Sequence, residues 1–338
     1  MIVKNIAVIT HPLMNNYGGL LQNYALQKVV AAIGADSKTI DCLQIAVSPL
    51  YVYIASWIKS FLFLFIPGKK RKFVRYTSRG KRHAWSDTFV RQHISVTQSC
   101  IKYDLSSLKD YDAVIVGSDQ VWRPRLVANI KDMYLHFASN LSIKRIAYAA
   151  SFGVDDWEYS PTQTKVCSAL AKKFDAISVR EESGVKLCKE HLGVDATWVL
   201  DPTLLLDKGD YLSICEDVPV CNEKYLAAYV LDENEQMTLA YEKEAQKRGL
   251  VVKNFHAESK SMLTVPEWLA MFRDASYVVT DSFHGTVFSI IFGKEFKCIY
   301  NEGRGVARFE SLLKLYNSGK LDEMREFSLN WLKNALEK

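Results

Sequence analysis

Short apolar runs alternate with amphipathic helical runs along most of the chain, a rhythm that points to βαβ units carried on parallel sheets. Ile6–Thr10 (IAVIT) is a buried strand. Gly18–Ile33 follows as a helix with Leu20, Leu21, Tyr24, Ala25, Val29 and Ile33 on one side and Gly34 as its cap. Ala113–Val116 and Ile146–Ala150 are strands that run into small polar turns. A helix around Thr164–Phe174 leads to the strand Ala176–Val179, the helix Glu182–His191 stops at Gly193, and Thr197–Leu200 is strand again. A second series begins at Tyr225 with YLAAYVL as strand, Glu233–Arg248 as helix and LVVKNF as strand. Pro266–Arg273 is then helix, YVVTDS strand, HGTVFSIIFG helix and EFKCIY strand.

At 338 residues the chain is longer than one hydrophobic core usually serves. The expected fold is α/β, with two Rossmann-like parallel-sheet domains facing a central cleft. Turn residues and acids interrupt the pattern over Asp207–Pro219, which divides the chain into 1–207 and 208–338, with an apolar and basic insertion at about 48–93 in the first unit. Open α/β sheets bind ligands at the carboxyl ends of their strands, so the cleft is the expected site.

Composition removes several classes. The chain is 49% hydrophobic and 24% charged and has no low-complexity tract, which excludes a disordered or solenoid protein. Seven scattered cysteines include no CxxC pair and no metal-type spacing, so no metal centre is expected and a reducing compartment is. The opening MIVKNIAVIT reads as a strand rather than a signal peptide, which places the protein in the cytoplasm or on the inner face of the cell membrane. No nucleic-acid partner is expected.

The net charge of +5 is unevenly spread: Gly68–His83 holds nine basic residues, His83 among them, and no acid. Just before it, Ser48–Ile66 breaks the βα rhythm with an apolar run whose one charge, Lys59, lies between Ser56 and Ser60. Ser48–Pro49 suits a helix start and Pro67–Gly68 a stop. The run is at the short edge for crossing a bilayer, and the strands on either side read as parts of one domain. Two readings stand: an interfacial helix anchored by basic residues over 49–83, or a lid or core helix with a solvated basic loop.

Four clusters carry chemistry, each where a strand hands over to a helix. In Asn15–Gln22, Gly18 and Gly19 let the backbone turn into a helix whose free N–H groups attract anions. In GSDQVW, the residues Ser118, Asp119 and Gln120 follow a buried strand, either as cleft residues or as a helix cap. Arg180 follows an apolar strand in SVRE, and its guanidinium suits a carboxylate or phosphate; an ion pair with Glu181 or Glu182 is the structural alternative. In TDSFHG, Ser282 can cap the next helix, and His284 in its first turn is biased toward the neutral form by the helix dipole.

In this order and combination, NYGGLLQNYALQ, GSDQVW, SVREESGVKLCKEHLGVDATWVLDPTLLL and VVTDSFHGTVFSIIFGKEF resemble the polysaccharide pyruvyl transferase family over nearly the whole chain. The resemblance implies a fold like that of one large glycosyltransferase class (GT-B), phosphoenolpyruvate as donor, no further cofactor, and a saccharide acceptor that is commonly lipid-linked or cell-surface. It places Arg180 and His284 in the donor site. Family members often have D-R-x-H-G where this chain has Ser282 in place of the Arg, so a second cation is expected from NEGRGVARFESLL, at Arg304 and Arg308. His284 is expected as acid/base or phosphate contact, and Asp119 as a base or as the carboxylate that orients the acceptor. The rival readings are a nucleotide-sugar glycosyltransferase on the same fold and a non-catalytic saccharide-binding relative.

Overall fold

The computed structural model describes residues 3–42, 45–47, 50–62, 77–79, 82–255, 262–300 and 305–337. The first part of the chain forms β1 (Asn5–Ile9), α1 (Tyr17–Ala32), β2 (Asp36–Thr39), β3 (Ile45–Val47), α2 (Leu50–Leu62), β4 (Thr77–Arg79), α3 (Ala84–His93) and β5 (Ala113–Asp119). It continues through β6 (Lys144–Ala150), α4 (Pro161–Ala171), β7 (Ala176–Val179), α5 (Glu182–Leu187) and β8 (Thr197–Trp198). After α6 (Lys208–Ile214) come β9 (Tyr225–Tyr229), α7 (Glu235–Arg248), β10 (Val251–Asn254), α8 (Val265–Asp274), β11 (Tyr277–Thr280), α9 (Phe283–Ile291), β12 (Phe296–Cys298), α10 (Ala307–Asn317) and α11 (Leu321–Glu337).

Two parallel sheets result. The first has strand order β2-β1-β5-β6-β7-β8 and the second β10-β9-β11-β12, while β3 and β4 pair antiparallel apart from both. All seven positions of β5 are buried, as a strand covered on both faces requires, and its near-continuous Ala-Val-Ile-Val run supplies that burial. The register aligns strand ends: Ile9 lies beside Val116, Asp119 beside Ala150, and Ala150 beside Val179. The residues just past β1, β5, β6 and β7 therefore share one edge. The expected α/β fold with two parallel sheets is what the chain adopts.

Helix starts follow local chemistry. Ser160 with Gln163, Asp207 with Asp210, and Thr264 with Glu267 each form a reciprocal capping box that opens α4, α6 and α8. The Asp207–Pro219 interruption thus contains a helix, whose Tyr211 and Ile214 are buried in a core shared by both sheets. That core joins Leu21 and Val199 to Trp268 and Phe288.

The last helices carry no strand-and-helix signal that the sequence reading used. α11 lies within 208–338 yet packs on the first sheet. Leu200 N donates to Ser328 Oγ (3.0 Å), Lys144 Nζ to the Leu336 carbonyl (3.0 Å) and Arg325 Nε to the Leu204 carbonyl (2.7 Å), and Trp331 meets Tyr148. The apolar helix expected over Ser48–Ile66 is present as α2; Ser48, Pro49 and residues 63–66 lie outside the described residues.

Candidate functional site

At the aligned strand ends, two carboxylates hold one arginine. Arg180, immediately after β7, directs Nη1 to Asp201 Oδ2 (2.7 Å) and Nη2 to Asp119 Oδ1 (3.1 Å), with all three side chains buried. Asp201 Oδ1 accepts from the Thr203 N–H (3.0 Å) and hydroxyl (2.6 Å), and its Oδ2 lies 3.1 Å from Ser118 Oγ. Burial alone would raise the Asp119 carboxyl, but Arg180, His11, His284 and Arg308 together hold it well below the usual carboxylate range. Asp119 has φ +70°, a left-handed conformation that Asp tolerates better than most residues. Gln22, fully buried on α1, accepts from Ser118 N (3.1 Å) and donates to Thr10 Oγ1 (3.1 Å), which ties the β5 end to the β1 end.

The second sheet presents α9 to this cluster. Ser282 accepts from Gly285 N (3.3 Å) and so caps α9 as its sequence suggested. His284 stands in the first turn, buried, with Nε2 3.9 Å from Asp201 Oδ2 and no hydrogen-bond partner for that nitrogen among the described residues. Burial lowers its imidazole below the ordinary value, and Arg180 and Arg308 add to this against the opposing pull of Asp201 and Asp119. His284 is therefore a neutral imidazole at pH 7, with burial rather than the helix dipole as the main cause. Gly18 makes room for it: a Cβ there would lie 2.1 Å from His284 Nδ1.

Two arginines share one aromatic ring. The guanidinium carbons of Arg180 and Arg308 lie 4.6 and 5.6 Å from the centre of Phe283, the first residue of α9. Arg308 comes from α10 and is buried. Desolvation first, then the Arg180 charge, pull its guanidinium down to about 10, only partly offset by Asp119 and Glu181. Glu181 lies beside them with Oε1 accepting from Phe152 N (2.7 Å) and Gly153 N (3.3 Å), and burial raises its carboxyl. His11 completes the group after β1. Burial lowers it, against Asp119 and a hydrogen bond to the Gln120 backbone.

Of the residues singled out in the sequence, Asp119, Ser118, Arg180, His284, Ser282, Gly18 and Arg308 converge here. Gly19 lies in the first turn of α1, where its carbonyl accepts from Gln22 Nε2 (3.0 Å). Gln120 turns toward Arg123, accepting from Nη1 at 3.2 Å. Arg304 lies outside the described residues. Arg180 pairs with Asp119 and Asp201, from two other strand ends, rather than with Glu181 or Glu182. Asp201, Phe283, Glu181, Gln22 and His11 were missed. Asp201 had a signal, since Asp-Pro directly follows an apolar strand in WVLDP, and Phe283 lies inside TDSFHG; a lone histidine after β1 gave none. Among the described residues, no three His, Cys, Asp or Glu side chains stand together as a metal site would need.

The fold has solved relatives. The S. aureus MnaA–UDP co-structure superposes with a TM-score of 0.51 at 11% identity, covering 96% of this chain and 91% of that one. A Listeria monocytogenes protein assigned as a UDP-N-acetylglucosamine 2-epimerase does so at 0.51 and 11%, covering 97% and 94%. At this identity the likeness concerns the fold, which is of the GT-B type. No curated protein matches the chain. The sequence model of the polysaccharide pyruvyl transferases matches residues 16–303, from the first turn of α1 through α9 and β12, and the chain belongs to the polysaccharide pyruvyl transferase family.

Proposed function

We propose that this transferase moves the pyruvyl group of phosphoenolpyruvate onto two hydroxyls of a saccharide, forming a pyruvate ketal. One observation carries the reading beyond family membership: Arg180 and Arg308 are buried together on Phe283, and burial with the neighbouring Arg180 charge pulls the Arg308 guanidinium down. An anionic donor bearing both a carboxylate and a phosphate relieves that cost. Arg308 receives the donor's charge, and Arg180, fixed by Asp119 and Asp201, shapes the pocket wall beside it.

In the reaction, a proton adds to the donor's methylene carbon and leaves a positively charged carbon beside the carboxylate. One sugar hydroxyl bonds to that carbon and gives up its proton. Phosphate departs with the bridging oxygen, and the second hydroxyl bonds to the same carbon and passes its proton to the departing phosphate, closing the ketal. Neutral His284, with an uncommitted Nε2, suits the role of proton acceptor from an attacking hydroxyl. Asp119 is too strongly held as carboxylate to take that proton and orients the acceptor instead. A cell-surface or lipid-linked glycan precursor is the acceptor class in this reading.

The test is direct. Purified protein incubated with phosphoenolpyruvate and candidate glycan precursors should release inorganic phosphate and add a pyruvyl mass to one precursor. Phosphoenolpyruvate should also raise the melting temperature, as ligand linkage requires. A melting shift with UDP-sugars alone favours the nucleotide-sugar reading.

A further inference from the structure

Helix α2 is inside out. Its serines face the protein, with Ser56 and Ser60 only 9% and 3% exposed. Ile54, Trp57, Ile58 and Phe61 recur at helical spacing on the opposite side and are 48%, 53%, 57% and 61% exposed. A helix in a soluble globule ordinarily turns the other way, because burying apolar surface drives its docking. No helix among the described residues is long and apolar enough to cross a membrane, so α2 is suited to lie along a surface.

The charge that follows it in the sequence selects the surface. From Cys42 to Ser86 the sequence has nine Lys or Arg and no Asp or Glu. One of the nine, Arg82, is held within the fold: it pairs with Asp41, donates to Asp87 (3.3 Å) and donates through Nε to the Leu13 carbonyl (2.8 Å). That grip joins the point where the chain leaves the first sheet, at Asp41, to the point where it returns. The return also packs on the β1–α1 loop, with His83 N donating to Asn15 Oδ1 (2.9 Å). The same loop begins at His11 and leads into Gly18 in the first turn of α1, both in the candidate site.

We propose that the exposed face of α2 docks on an anionic lipid surface, and that this holds the β1–α1 side of the cleft toward the membrane. Apolar side chains enter the headgroup boundary while the acid-free basic stretch is attracted to the leaflet charge. The inference stands apart from which group the enzyme transfers, because the exposed residues of α2 lie outside the candidate site.

The full chain is sedimented with phosphatidylglycerol-containing vesicles and with pure phosphatidylcholine vesicles, at low and high salt. The expected result is binding to the anionic vesicles, weakened by salt, with little on neutral ones. Trp57→Ser with Ile58→Ser should lower vesicle binding by about tenfold or more, since it removes the inserting groups. Changing Lys69, Lys70, Arg71 and Lys72 to Gln should do the same at low salt. Circular dichroism and melting temperature confirm that the variants fold. Equal binding by the Trp57/Ile58 variant, or wild-type protein that stays in the supernatant throughout, overturns the proposal. So does a dimer that dissociates in that variant without any vesicle binding, which would assign the face to a second copy.

Discussion

Gly18 on α1 and His284 on α9 meet across the two sheets so closely that a methyl group on Gly18 would stand 2.1 Å from the imidazole. Gly18→Ala should therefore displace His284 and lower turnover by about a hundredfold, the scale on which misplacing a reacting group by an ångström acts. Helix propensity favours Ala by roughly 0.5–1 kcal/mol, so the melting temperature should change little. Gly19→Ala is the control: its Cβ would approach only the flexible Asn16 side chain, at 3.2 Å. Equal turnover in both variants would remove the positioning role of Gly18.

Acid should act on stability through the histidines. His284 and His11 have folded values below the ordinary 6.5, so the unfolded chain binds protons more readily there. Their contribution to stability is present above 6.5 and is lost as pH falls from 6.5 toward their folded values. Melting temperature should drop between pH 7 and pH 5.5. The drop should be smaller in His284→Gln, which removes one of the two groups, while turnover in that variant is lost at every pH. A profile that His284→Gln leaves unchanged would show that folding does not lower the His284 imidazole.

Arg180 should matter to the fold as well as to the reaction. Arg180→Met leaves Asp119 and Asp201 buried without their shared cation and should cost about 3–5 kcal/mol in urea unfolding. Arg180→Lys keeps the charge but loses the planar fork that offers each carboxylate its own nitrogen, and should lose stability by a smaller margin. Unfolding midpoints equal to wild type in both variants would mean that the pair is not formed.

Gly305 sits against the loop after β6 with φ +86°, and a Cβ there would lie 1.5 Å from the Gly153 carbonyl. Gly305→Ala should cost about 1–3 kcal/mol and shift Arg308, three residues further on in the first turn of α10. The expected signature is weaker protection by phosphoenolpyruvate in thermal melts. Full protection would place Arg308 outside the donor site.

The fold was readable because its information is local. Runs such as AVIVGSD and YVVTDS declare buried parallel strands, and each ends at a polar residue that the sheet register then lines up with its neighbours. The site was legible where a strand-to-helix turn announced it, at Asp119, Arg180 and His284. What the sequence could not declare is pairing between residues far apart. That Asp201 rather than Glu181 closes on Arg180, or that Gly18 is small for the sake of His284, depends on the folded arrangement of the strands and helices. Likewise α2 was visible as an apolar helix, but which of its faces meets the protein was not, since serines and isoleucines both recur at helical spacing.

The return of α11 to the first sheet also sets an order of events during synthesis. Leu200 N and Lys144 find their partners 128 and 192 residues further along the chain, at Ser328 and Leu336, and the Tyr148 ring meets Trp331. Domains generally fold as units with the N-terminal one first, but here the first sheet cannot be fully covered until α11 (Leu321–Glu337) has been made. A ribosome stalled anywhere before residue 321 would hold a chain whose β6 and β8 flank still lacks the helix that packs on it.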